Sequence, residues 1–164
     1  MSFKFIDHSP EVLAAFKAAA ERALERCGSK GEGYAQDLCP VDTGALRNSI
    51  SHKVDKGEPA AYIGTNQEYG SYVELGTGKY YKGGSYGWWV YVDGASRKKG
   101  KKGHKTYTYE EAKRVVAILR SKGLDAHMTE GQKAQPYLKP AVADHKDTYK
   151  NIIESEMKGS SVSL

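Results

Sequence analysis

The stretch Pro40-Val41-Asp42-Thr43-Gly44-Ala45-Leu46-Arg47-Asn48-Ser49-Ile50 ends one kind of structure and starts another. Pro40 cannot continue a helix, because it lacks the amide hydrogen and its ring crowds the preceding turn. Asp42 and Thr43 are cap residues ahead of a single helical turn, and Ile50 opens an extended run to Val54. Upstream, Ser9-Pro10-Glu11 reads as a helix start, with Ser9 as cap and Pro10 in the first turn. Leu13, Phe16, Ala20, Ala23, Leu24 and Cys27 then recur at three- and four-residue spacings and make one apolar stripe, with Lys17, Glu21, Arg22 and Glu25 mostly on other faces. Gly28 is a natural stop or kink. The pattern resumes through Tyr34, Ala35 and Leu38, so the segment is either one bent long helix or two helices. Before it, Phe3 and Phe5 alternate around Lys4 like a short strand.

Downstream, Asp55-Lys56-Gly57-Glu58-Pro59 is a turn and Ala61–Gly64 the returning strand of a β-hairpin. Tyr69, Tyr72, Val73 and Leu75 have helical spacing and are closed by Gly76-Thr77-Gly78. Trp88-Trp89-Val90-Tyr91-Val92 is aromatic and β-branched throughout and predicts a strand. Glu110 to Lys122 predicts a helix capped by Thr108 and ended by Gly123, with Ala112, Val115, Val116 and Leu119 inward. A strand is placed around Asp125 to Met128. Gln135-Pro136-Tyr137-Leu138-Lys139-Pro140 leads into a terminal amphipathic helix ending near Gly159.

The expected architecture is α+β, with a bent N-terminal helix and a C-terminal helix packed on a small curved antiparallel sheet. Residues 1–158 are read as a single domain in which 97–130 is an inserted loop and helix, and residues 159–164 as a flexible tail.

Composition narrows the function. Apolar residues make up 39% of the 164, while Gly reaches 18 and Tyr 12, which describes an ordered but loop-rich chain with half-buried amphipathic surfaces. The net charge of +5 is modest, and much of it sits in the run from Arg97 to Lys105. There Arg97, Lys98, Lys99, Lys101 and Lys102 are candidate contacts to DNA phosphates. Together with Tyr80, Tyr81, Tyr86, Trp88 and Trp89 they support an alternative reading as a nucleic-acid-binding protein. The preferred reading is that the lysines solvate a loop and the tryptophans pack a sheet. No apolar run approaches the roughly 20 residues needed to cross a bilayer, and no basic-then-apolar leader is present, so a chain made and used in a cytoplasm, with no membrane partner, is expected.

Catalytic chemistry has little support in the residue pattern. Cys39, between Leu38 and Pro40, reads as a buried thiol, and Cys27 has no partner spacing for a metal or disulfide. His8, His52, His104, His127 and His145 show no carboxylate or second His at ligand spacing. Gly76-Thr77-Gly78-Lys79 lacks the full glycine spacing of a phosphate loop. No enzyme, cofactor or metal is therefore expected.

Three blocks carry a resemblance: Cys39 to Ile50, Tyr69 to Gly78, and Gly131-Gln132-Lys133-Ala134-Gln135-Pro136-Tyr137-Leu138-Lys139-Pro140-Ala141. In this order they resemble the tail-component family typified by the Hong Kong coliphage gp-ten protein, over most of residues 10–157. The stretch from about Arg97 to Glu130 is longer than the minimal pattern of that family. The resemblance implies a structural virion protein of a tailed phage or tail-like particle, at the neck or tail-completion position. It implies a homohexameric ring that joins the tail to the head, with tail-tube or tail-terminator and head-connector proteins as partners and packaged DNA as a transient contact. Asp42, Thr43, Gly44, Leu46, Arg47, Tyr69, Glu74, Gly76, Gln135, Pro136 and Tyr137 become the candidate assembly or turn residues.

Overall fold

The computed structural model describes residues 7–55, 57–84, 86–94 and 105–159. It is α+β, about 53% helical and 16% strand, and it divides into two compact units. The expected strand at Phe3–Phe5 and the run from Arg97 to His104 lie outside the described residues.

The first unit comprises residues 1–70 and 136–164. Its largest element is α1, Ser9–Leu38, a single unbroken helix. Ser9 is already helical; its amide donates to Asp7 Oδ1 at 2.9 Å, so Asp7 holds the first turn where Ser9 was expected to cap it. Leu38 is the last helical residue because Cys39, which precedes Pro40, must be extended (ψ 128°). After the short turn α2 (Ala45–Asn48), strands β1 (Ile50–Asp55) and β2 (Ala60–Thr65) pair antiparallel, from Ile50 opposite Thr65 to Asp55 opposite Ala60. Asp55 Oδ1 accepts from the amides of Gly57 (2.8 Å) and Glu58 (3.3 Å), which closes the turn.

The helix packs on this hairpin through its glycines, which is why Gly28 does not end it. Gly28 and Gly31 are buried. A Cβ on Gly28 would lie 2.5 Å from His52 Cδ2 and 3.0 Å from His52 Cγ; one on Gly31 would overlap Ile63 Cδ1. His52 and Ile63 are opposite each other across the hairpin. Glycine is a poor helix former, so its presence here reflects the close approach of two backbones. His52 is held in place by α1 itself: its Nδ1 lies 2.6 Å from Glu32 Oε2, its amide donates to the same oxygen at 3.1 Å, and its Nε2 lies 3.3 Å from Glu25 Oε2. The hydrogen bond to Glu32 pushes the His52 pKa up, with Glu25 adding to it against a smaller opposing effect of burial.

The expected terminal helix is two helices, α5 (Leu138–Ala143) and α6 (Lys146–Lys158). The break at Asp144 and His145 lets the His145 ring stack on Tyr34 of α1, with centroids 3.5 Å apart, while Tyr149 Oη donates to the carbonyl of Ala141 at 2.8 Å. On α6, Glu156 takes hydrogen bonds from Arg26 and from Arg22 (3.2 Å), and these hold its carboxyl below the usual range.

The second unit spans 71–135. It contains α3 (Gly70–Leu75, entered from the first unit), the 3-10 turn Gly78–Tyr80, β3 (Trp89–Val92), α4 (Tyr109–Ser121) and β4 (Ala126–Thr129). Thr108 and Glu111 form a reciprocal capping box at the start of α4, and Gly123, at φ 75°, ends it, both as the sequence predicts. β3 pairs antiparallel with β4, Trp89 opposite Thr129 and Val92 opposite Ala126. The strands thus form two two-stranded sheets among the described residues rather than one curved sheet, because β4 offers β3 a sequence-near partner inside the 97–130 segment.

Two outcomes follow from the helix–hairpin contact. Gly28→Ala should destabilise the chain by about 1–3 kcal/mol, since overpacking against a clamped ring outweighs the gain in helix propensity. Gly33→Ala, where a Cβ meets nothing within 4 Å, should stabilise it by up to about 1 kcal/mol in the same urea titrations. Because the folded pKa of His52 lies above its ordinary value of 6.5, its contribution is complete below that pH and fades as pH rises through the folded pKa. The stability difference between wild type and His52→Gln should therefore shrink from pH 6 to pH 9.

Candidate assembly surface

The candidate residues from Asp42 to Arg47 sit on one short turn. Gly44 adopts φ 81°, a left-handed conformation that disfavours other residues, and its carbonyl accepts from the Asn48 amide at 2.9 Å. Thr43 Oγ1 accepts weakly from the Ala45 amide at 3.4 Å. This geometry drives Leu46 and Ile50 inward, where both are buried, and leaves Asp42 and Arg47 exposed. The neighbouring Cys39 thiol is buried, and burial pushes its pKa up, which withholds the reactive thiolate.

Tyr137 is wholly buried. It belongs with Leu46: a Cβ on Gly70 would lie 2.6 Å from Thr65 Cγ2, 2.9 Å from Tyr137 Oη and 3.3 Å from Leu46 Cδ1. Within the first unit, residues from all three sequence blocks therefore converge on one packed spot, with Gly70 supplying the space.

Inside the second unit the later part of the second block lies against the start of the third. The Thr77 amide donates to the Gln132 carbonyl and the Gln132 amide to Thr77 Oγ1, each at 2.9 Å. The Lys79 amide donates to the Glu130 carbonyl at 3.1 Å, and the Gln135 amide to the Val73 carbonyl at 2.8 Å. Lys79 and Glu130 also form an ion pair. At Gly76, with φ 76°, the two segments run close together; a Cβ there would meet Ala134 N and Gln132 O, both at 2.9 Å.

The candidate list thus divides. Gly44, Leu46, Gly76 and Tyr137 hold the fold, and the Gln135 backbone joins them. Asp42, Thr43, Arg47, Tyr69 and Pro136 are exposed, and Glu74 is half-buried. Arg97, Lys98, Lys99, Lys101 and Lys102 lie outside the described residues.

The apolar stripe on α1 is buried only in its later part, at Ala23 and Cys27. Leu13 and Phe16 are each 55% exposed and Val12 46%, because burial of α1 begins at Ala19, beyond these first turns. On α3, Tyr72 and Leu75 are likewise 55% and 52% exposed. Helical spacing identified these positions but could not tell an inward stripe from an outward one. Half of the buried apolar residues among the described residues are alanines: Ala19, Ala23, Ala35, Ala112, Ala126 and Ala141. Replacing Tyr137 by Ala should cost about 3–5 kcal/mol in denaturant unfolding, and Phe16→Ala less than about 0.5 kcal/mol for the isolated chain.

No curated protein and no solved structure matches the chain. Residues 4–76 match the family model described as "Bacteriophage HK97-gp10, putative tail-component". The matched segment takes in α1, the Gly44 turn, the hairpin and α3, and so the first sequence block and the second as far as Gly76; the third block lies beyond it. The resemblance read from the sequence is thereby shown over this segment, and the helix–hairpin unit of the chain is similar to a bacteriophage tail component.

Proposed function

We propose that the chain is a structural protein of a tailed-phage virion that assembles with copies of itself into a ring at the head-proximal end of the tail, where it joins tail to head. The observation that carries this reading, beside the family match, is the outward-facing apolar surface. Val12, Leu13 and Phe16 fall on adjacent turns of α1 and are about half exposed, while alanines fill much of the interior. Apolar side chains grouped in this way serve association surfaces, since water around them is released only when a partner covers them. The partners are neighbouring copies, in a closed ring with head-to-tail contacts, and adjoining tail-tube and connector proteins. The role is non-enzymatic and agrees with the structural character of the matched family. The location is the virion, and among the described residues no helix is long and apolar enough to cross a membrane.

The nucleic-acid reading has Tyr80, Tyr81 and Tyr86 exposed in its favour. Against it, Trp88 packs edge-on against Tyr109, with centroids 5.2 Å apart, and both Trp88 and Trp89 are partly buried, with Trp89 Nε1 shielded from solvent. Deleting the gene and imaging the lysate by electron microscopy tests the proposal. Full heads detached from tails, some of them overlong, are expected; intact particles would overturn it. Complementation with Phe16→Asp should fail to restore joined particles, while the purified variant melts within about 0.5 kcal/mol of wild type.

A further inference from the structure

We propose that the paired ends of β3 and β4 form a binding site for a divalent transition-metal ion, with Asp93, Asp125 and His127 as ligands. Asp93 follows β3 and Asp125 precedes β4; the Asp93 amide donates to the Asp125 carbonyl at 2.9 Å, one rung beyond Val92 opposite Ala126. The hairpin register thus sets two carboxylates side by side across the strands, an arrangement of like charges that destabilises a sheet unless a cation lies between them. His127 is two residues past Asp125, so its side chain emerges on the same face. Its ring stacks on Tyr91, directly opposite in the ladder, at a centroid distance of 5.4 Å.

Three ligand atoms converge there. His127 Nε2 lies 3.0 Å from Asp125 Oδ1 and 3.5 Å from Asp93 Oδ2, and all three atoms lie within 4.8 Å of one another. Zinc bonds of 2.0–2.1 Å to nitrogen and oxygen place neighbouring ligands about 2.9 Å apart at a right angle and about 3.4 Å apart at the tetrahedral angle. The two distances from Nε2 match the edges of such a polyhedron.

A second observation concerns the imidazole itself. Nε2 is shielded from solvent and makes no hydrogen bond, although both carboxylate oxygens lie close to it. Neither oxygen stands in line with the ring nitrogen as an acceptor would, whereas a shared ion can be met by all three. Two carboxylates and a neutral imidazole balance a divalent charge, and the mixed nitrogen and oxygen set suits zinc or its neighbours better than calcium or magnesium. Both aspartates are mostly exposed, at 61% and 72%, which leaves room for water at a fourth position. The ion would tie the chain entering and leaving the 97–130 segment at one point.

Calorimetric titration of Zn2+ into the chelator-stripped full chain tests this, with the His127 Cε1–H resonance followed by NMR. One saturable site that shifts that resonance is expected. Asp93→Asn and His127→Gln should each weaken it at least about tenfold, as loss of even an outer partner of a metal ligand does, while His8→Gln leaves it unchanged. Absence of saturable binding, or binding that survives both substitutions, would overturn the proposal. So would a His127 resonance that answers to pH and not to Zn2+, since the imidazole would then be the cation between the aspartates. Because the NMR readout uses wild type, a variant that failed to fold would leave the test intact.

Discussion

The close contact between α1 and the β1–β2 hairpin is the constraint on which the first unit depends. A helix can approach a two-stranded sheet this closely only where it carries no side chain, and Gly28 and Gly31 provide two such places on consecutive turns. A two-stranded hairpin has too little face to be stable by itself, so packing against α1 stabilises both partners. Glu25 and Glu32 bracket the approach from the helix side and hold the ring that fills the space. The result is a polar clamp over a small apolar contact, in a unit whose interior contains few large side chains.

The sequence blocks that carry the family resemblance acquire a physical meaning from this geometry. Gly44 turns the chain from helix to hairpin; Gly70 admits Tyr137 against Leu46; Gly76 lets residues 76–79 run beside 130–135. At these positions backbone passes close to backbone or to a buried ring. The large apolar side chains exposed on the first turns of α1, Val12, Leu13 and Phe16, lie outside those blocks.

Local chemistry dictated much of the chain. The hairpin and its Asp55 turn, the Thr108 cap and the Gly123 stop were all legible, because each depends on residues a few positions apart, whereas the continuity of α1 through Gly28 was left open. The α+β class follows from the order of those elements. Pairings between distant segments were not legible: periodicity assigns a strand without naming its partner, so the placement of β3 against β4 rather than in a common sheet required the fold. The same holds for His127. Residue spacing pointed to no carboxylate ligand for His127; Asp125 lies two residues before it on the same strand face, and Asp93 arrives only through the hairpin register.

The sequence by itself therefore placed most of the helices, strands and turns and carried the resemblance to a phage family, since those rest on short-range sterics, capping and spacing. Tertiary structure alone decided which apolar stripe faces outward, which glycines serve close packing, and which charged groups meet. Such facts arise from contacts between residues far apart in the chain, and amphipathic spacing is identical whether a helix turns its apolar face toward a core or toward a neighbouring molecule.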